Sequence, residues 1–174
     1  YLLSTIIHPL ADNKVPEKDK KRLFQLIMRW QQFTGALMAK GMEDTLLYCY
    51  YPLVSLNEVG GEPATFGITK NEFYRFIQKR KQKWPYSMNA SMTHDTKRGE
   101  DVRARINVLS EIPKYWHTKI YYWHRLNLAK KKQVHALLFP DKNMEYFIYQ
   151  TLIGTLPFSG LSGINPTYIE RIQE

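Results

Sequence analysis

The sequence predicts a mainly α chain with a few short strands. Apolar residues recur at helical spacing along most of its length, and helix-start signals precede several of those stretches. Strand character is confined to two short segments, near 36–40 and 88–93.

Taken in order, Leu23, Leu26, Ile27 and Trp30 trace i, i+3, i+4 and i+7 between Pro16 and Phe33, which predicts a helix with one buried face. Pro16 is tolerated in a first turn. A β-type segment, Ala36 to Lys40, follows Gly35 and stops at Gly41. Thr69 and Glu72 form a capping box for a helix whose stripe is Phe73, Phe76 and Ile77 and which stops before Pro85. Met88, Ala90 and Met92 then alternate with Asn89, Ser91 and Thr93, the period of a strand. Val102, Ile106 and Leu109 return to helical spacing over Glu100 to Ser110, and Pro113 closes that helix. Strand, irregular helical connection, strand and helix read as an arc of a β/α barrel.

Beyond Pro113 the pattern is helical throughout. Trp116, Ile120 and Trp123 share one face, and Met144, Phe147, Ile148, Thr151 and Leu152 form another stripe, ended by Pro157. A last helix has Asn165 as N-cap and Pro166 at N1, carrying Ile169 and Ile172 inward. The organisation expected is a helical segment (1–34), a partial barrel (35–113) and a helical region (114–174) in one compact unit.

At 174 residues with a formal charge of +9, the chain is basic enough to raise nucleic acid as a partner. The distribution argues against it, because basic residues stand beside acids, as in Glu17-Lys18-Asp19-Lys20-Lys21-Arg22. Asp101 with Arg105 and Glu100 with Arg103 fall at pairing distances on one helix. The compact run Lys130-Lys131-Lys132 reads as a solvated helix end. The single cysteine, Cys49, excludes an internal disulfide, fits a reducing compartment and reads as a core residue among tyrosines. No apolar run approaches the roughly 20 residues needed to cross a bilayer, so the cytoplasm is expected and no membrane contact is. His117 and His124, seven apart, lack the spacing of a helical metal pair and suit an aromatic-rich core or subunit face.

The run Ser91 to Arg103 carries the chemistry. Asp95 follows the alternating segment and precedes a helix, and residues at the carboxyl ends of barrel strands line active sites. Aspartate is equally a favoured N-cap. Residue type alone leaves both roles open.

The blocks THDTKRGEDVRAR and VLSEIP, with MAKGMEDT and SLNEVGGEP before them, resemble the maltooligosyltrehalose synthases, a branch of the α-amylase superfamily. The likeness is collinear from about Phe24 to Glu174 and includes QQFTGALMAKGMEDTLLYCY, FGITKNEFYRF and EYFIYQTLIGTLP. It departs locally at Tyr51 and in the Gly/Ser-rich loop from Phe158 to Gly163. The resemblance implies a C-terminal fragment of a (β/α)8 barrel enzyme with family-specific helices, matching the C-terminal half of that family.

The implied reaction turns the reducing-end α-1,4-linked glucose of a maltooligosaccharide into an α,α-1,1 linkage by intramolecular transglucosylation. By the same resemblance Asp95 is the third carboxylate of the site, which holds and distorts the sugar ring. His94 contacts that sugar's hydroxyls, and Lys97 and Lys40 donate to the reducing-end sugar. Glu43, Asp44, Asn57, Glu58 and Arg98 support them from behind. The nucleophile and general acid are expected on earlier strands outside this chain, so the fragment is expected to be inactive by itself. The implied partners are the maltooligosaccharide and the remainder of the parent enzyme, with no metal or organic cofactor. Unpaired edges at the two strands make self-association an expectation. Two other classes remain: a hydrolytic amylase relative, and a basic helical module that binds nucleic acid.

Overall fold

The structure is a computed structural model that describes residues 15–173. The opening of the predicted 1–34 segment therefore lies outside the described residues. The chain divides after Leu46 into two compact units rather than one.

In the first unit, α1 (Glu17–Leu37) runs directly into a π-helical turn, Met38–Glu43. The predicted strand at 36–40 is thus helical. Ala36, Leu37, Met38, Ala39 and Lys40 are all strong helix formers, and a short apolar run cannot be assigned by period alone. Of the α1 stripe, Ile27 is buried and Leu23 half-buried, while Leu26 and Trp30 stay exposed.

The second unit contains α2 (Lys70–Lys83), α3 (Glu100–Asn107), α4 (Pro113–Asn127), a hairpin of β1 (Lys132–Val134) and β2 (Leu137–Phe139), α5 (Lys142–Thr155) and α6 (Pro166–Gln173). The capping box of α2 is formed, with Thr69 Oγ1 accepting from Glu72 N and Glu72 Oε2 accepting from Thr69 N. Asn165 Oδ1 accepts from Tyr168 N at 2.8 Å, as expected for its cap. Pro113 opens α4 as its first residue rather than only closing the helix before it.

Residues 88–93 join no sheet and are exposed. Alternation describes a surface and does not supply a partner strand, and Met, Asn, Ala and Ser bring little β preference. The segment is held instead by arginines, with Arg80 Nη2 donating to Met88 O at 3.1 Å and Arg103 Nη2 donating to Ser91 O.

The hairpin corrects the expectation of helix throughout 114–174. Val134 pairs with Leu137, Gln133 with Leu138 and Lys132 with Phe139, around a two-residue turn in which His135 takes φ 53°. The turn lacks the Asn-Gly or Asp-Gly signal that marks such hairpins, so the sequence hides it. Lys131, expected in a solvated helix end, has a side chain only 4% exposed and reaches Glu145 Oε2 at 2.6 Å. Its Nζ also donates to Pro140 O at 2.9 Å, fastening both sides of the hairpin to α5.

Glu145 is the centre of a buried cluster. Its Oε2 also meets His124 Nδ1 at 2.7 Å, and its Oε1 accepts from Tyr149 Oη at 2.6 Å. Burial alone would raise the carboxyl, but hydrogen bonds from Lys131, Tyr149 and His124 together outweigh it and bring the pKa down to about 2. Burial and the facing carboxylate push Tyr149 up to about 12.

The core joins Tyr51 and Val54 to Ile106 and Leu109, Trp116 and Tyr149. Trp116 and Trp123, placed on one face by their spacing, meet edge to face at 5.7 Å. Helices α3 and α5 approach closely at Gly154, where an added Cβ would lie 2.7 Å from Val102 Cγ1. Cys49, expected in the core, is exposed, because Tyr51 rather than its neighbours turns inward.

The irregular segment before α2 has no sheet to satisfy its backbone, and a side chain of α5 does so instead. Gln150, fully buried, accepts from Val54 N at 2.9 Å and donates to Tyr51 O at 2.8 Å. Replacing it by leucine keeps the volume but strands both backbone groups, each costing about 1–3 kcal/mol when buried unpaired. Gln150→Leu should therefore lower unfolding free energy by roughly 2–5 kcal/mol in urea titrations, with Gln150→Glu intermediate. The depressed Glu145 carboxyl gives a second expectation. Its contribution is complete above its ordinary value of 4.5 and is lost as pH falls towards about 2. Melting temperatures recorded across that window should fall less steeply for Glu145→Gln than for the wild type; parallel curves would contradict it.

Candidate functional site

Residues 93–96 form a tight turn with Asp95 near its apex. Thr96 N and Thr96 Oγ1 both donate to Thr93 O, at 3.2 and 2.7 Å, and Asp95 N donates to Thr93 Oγ1 at 3.3 Å. Side-chain exposure is 91% for His94 and 70% for Asp95, and His94 Nε2 lies 3.5 Å from Asp95 Oδ2. The capping role left open for Asp95 is not what the chain uses. The N-cap of α3 is Gly99, with no side-chain cap bond, so the Asp95 carboxylate stands free of the helix start.

Glu58 backs this turn. Its Oε1 accepts from Lys97 N and from Val59 N, both at 2.8 Å, and its Oε2 faces Arg103 Nη1 at 3.8 Å. Gly60 takes φ 69° beside it, and a Cβ on Gly61 would meet Glu58 O at 2.8 Å, so the pair of glycines lets the chain fold back over Glu58. Lys97 extends over the Tyr48 ring, with Nζ 5.1 Å from its centroid.

Arg98 turns inward. Its Nη1 donates to Val54 O at 3.2 Å and its guanidinium lies 5.6 Å from the Phe147 ring centroid. Burial lowers its pKa, with Glu58, Tyr48 and Tyr51 opposing the shift. Asn57 is buried and donates to Leu47 O at 2.8 Å and Tyr50 O at 2.6 Å, closing the loop that precedes Glu58.

The structure thus brings Asn57, Glu58, His94, Asp95, Lys97 and Arg98 into one unit. Lys40, Glu43 and Asp44 belong to the first unit, on and just after its π-helical turn, where Lys40 Nζ pairs with Asp44 Oδ2 at 2.6 Å.

Two arginines depart from their expected places. Arg103 was matched to Glu100 and Arg105 to Asp101 by spacing, yet Arg103 serves Ser91 and Glu58, and Arg105 donates to Leu156 O across α5. Helical spacing reports which groups can meet on one helix; it is blind to stronger partners elsewhere in the chain. His124 likewise belongs to the Glu145 cluster, and among the described residues no group of three or more His, Cys, Asp or Glu side chains could hold a metal ion. Among the same residues no helix is long and apolar enough to cross a membrane.

No protein-family model matches the chain. A curated relative from Mycobacterium tuberculosis, provisionally named a maltooligosyl trehalose synthase, is 43% identical over 149 residues, covering 83% of this chain and 18% of the relative. A match of that extent takes in the middle of the chain, and with it the His94–Asp95 turn. A solved structure from Sulfolobus tokodaii, titled a hypothetical maltooligosyl trehalose synthase, is 38% identical with a TM-score of 0.73, covering 90% of this chain and 20% of that one. Another, titled maltooligosyl trehalose synthase, is 37% identical at the same TM-score of 0.73 and covers 95% and 21%.

Proposed function

This chain is homologous to one stretch of the maltooligosyl trehalose synthases, about a fifth of their length, and from that footing we propose that it forms part of an enzyme of that activity. The substrate is a maltooligosaccharide, whose reducing-end α-1,4 bond is opened and re-formed as an α,α-1,1 bond. Asp95 is the observation that carries the reading: it lies within the matched stretch, points to solvent from a braced turn, and caps no helix.

In this reading the nucleophile and the general acid come from the length of the parent that this chain does not contain. The nucleophilic carboxylate takes the oligosaccharyl group at its anomeric carbon while the acid protonates the departing oxygen of the terminal glucose. That glucose remains in place, turns, and attacks the glycosyl-enzyme with its own anomeric hydroxyl, returning a proton to the same acid group. Holding it there raises its effective concentration, and keeping water out decides isomerisation over hydrolysis.

Asp95 accepts hydrogen bonds from hydroxyls of the sugar at the bond being broken. Those bonds strengthen as the ring flattens and positive charge develops, so they favour the transition state over the bound substrate. His94 adds a contact to the same sugar. Lys97 donates to the reducing-end glucose; Lys40, on the first unit, is a further candidate sugar donor held by Asp44.

Wide apolar exposure supports the idea that further polypeptide covers this chain. Phe73, Phe76 and Ile77 on α2 are all exposed, as are Phe24, Leu26 and Trp30 on α1 and Leu137, Leu138 and Phe139 on β2. Self-association therefore keeps a basis, although the strand edge near 36–40 no longer supplies it.

In the full-length enzyme, Asp95→Asn should lower turnover by several orders of magnitude while leaving the melting temperature close to wild type. The isolated chain should release no trehalose-ended product from maltopentaose. Substantial turnover by either would overturn the roles assigned, and reducing sugar in place of a non-reducing product from the wild type would point to a hydrolase. Light scattering on the isolated chain should show concentration-dependent association that Phe73→Lys with Phe76→Glu reduces; a strict monomer at all concentrations would remove that part of the reading.

A further inference from the structure

We propose that Glu58 and Arg103 are positioning residues that clamp the turn bearing His94 and Asp95, one on each side of its apex. The proposal rests on the reading of Asp95 as a carboxylate that binds the reacting sugar. Arg103 Nη2 donates to Ser91 O, before the turn, and Glu58 Oε1 accepts from Lys97 N at 2.8 Å, after it. The two clamps meet behind the turn, where Arg103 Nη1 stands 3.8 Å from Glu58 Oε2.

The contrast in exposure gives the arrangement its meaning. Glu58 and Arg103 side chains are 16% and 23% exposed, whereas those of His94 and Asp95 are 91% and 70% exposed. A surface turn held only by its own threonines would fluctuate, because the Thr93–Thr96 bonds fix its shape but not its place on the protein. The clamp supplies the place. Arg103 is one helical turn into α3, and Glu58 precedes Gly60 and Gly61, so both anchors are mounted on structure that the core fixes.

The pair is not arranged for stability alone. Glu58 Oε2 and Arg103 Nε are both buried with no hydrogen-bond partner, and a buried charged pair with incomplete bonding is a weak source of stability. What the pair does hold is the backbone of Ser91 and Lys97. A displacement of about 1 Å at a reacting group is enough to cost roughly a hundredfold in rate, so a backbone anchor on either side of Asp95 has a large catalytic consequence without touching substrate.

The test uses the full-length enzyme with Glu58→Ala, Glu58→Gln, Arg103→Ala and Arg103→Lys. Glutamine keeps a carbonyl oxygen for Lys97 N, and lysine keeps a donor towards Ser91 O, so each conservative variant should restore much of what alanine removes. Expected for Glu58→Ala and Arg103→Ala is a fall in kcat of about ten- to a hundredfold with KM for maltopentaose changed less than about threefold. Amide exchange should quicken at Lys97 in Glu58→Ala and return towards wild type in Glu58→Gln. The proposal is overturned if the alanine variants keep wild-type kcat, if glutamine and lysine rescue nothing, or if Lys97 exchange does not respond. A wild type that makes no trehalose-ended product, with Lys97 exchange still dependent on Glu58, would refute the assigned reaction and leave the clamp standing.

Discussion

The fold of the second unit depends on how a segment with no more regular structure than a short 3-10 turn at Val54–Leu56, running from Tyr51 to Glu58, is held to its helices. A strand in that place would exchange backbone bonds with a neighbour; here the Gln150 amide stands in for the neighbour, accepting from Val54 N and donating to Tyr51 O. With those two groups satisfied, Tyr51 and Val54 can be buried, and Tyr51 stacks on Phe147 at 4.6 Å one turn before the glutamine. Other backbone and side-chain groups of the segment then reach its neighbours. Val54 O receives Arg98, Ser55 Oγ donates to Asn107 Oδ1 at 2.6 Å, and Glu58 receives Lys97 N. The same irregular stretch therefore anchors the core on one side and the turn of Asp95 on the other.

Much of this was legible in the sequence where local chemistry decides the outcome. The capping box of Thr69 and Glu72, the Asn165-Pro166 start and the shared face of Trp116 and Trp123 all depend on neighbours within two helical turns, and each is found as expected. The failures occur where a distant partner decides. Residues 88–93 have a strand's alternation but no adjacent strand among the described residues, and 36–40 have an apolar run that the helix before it simply extends. Lys131 reads as one of three solvated lysines until α5 brings Glu145 to it. The hairpin that follows is invisible because His135, rather than glycine or asparagine, takes the left-handed conformation its turn needs.

The candidate site divides along the same line. The turn that presents Asp95 was legible because a junction between an alternating segment and a helix is itself a local pattern, reinforced by the family-like block around it. The contacts of Arg103 were not legible because they run to Ser91, twelve residues earlier, and to Glu58 in another segment. The resemblance makes Glu58 a supporting residue; what it supports, the amide of Lys97, is set by the fold. Charged residues that act through backbone groups leave little trace in spacing, since the backbone they bind has no sequence identity.

The free state of the Asp95 carboxylate follows from the residue at the helix start. Gly99 occupies the N-cap of α3 in an extended conformation, φ −62° and ψ 156°, and offers no side chain to the helix amides. An aspartate at that position would satisfy one of those amides and stabilise the helix by about a few tenths of a kcal/mol relative to glycine. The chain instead places its aspartate four positions upstream, beyond reach of the helix start, and accepts a weaker cap. Acidic side chains at Glu100 and Asp101 in the first turn of α3 offset part of that loss through the helix dipole. The consequence is a carboxylate that caps no helix, on a turn whose position is set by buried charges behind it. That separation of holding groups from presented groups is what a carboxylate needs if its hydrogen bonds are to be made with a ligand and strengthened as charge develops there.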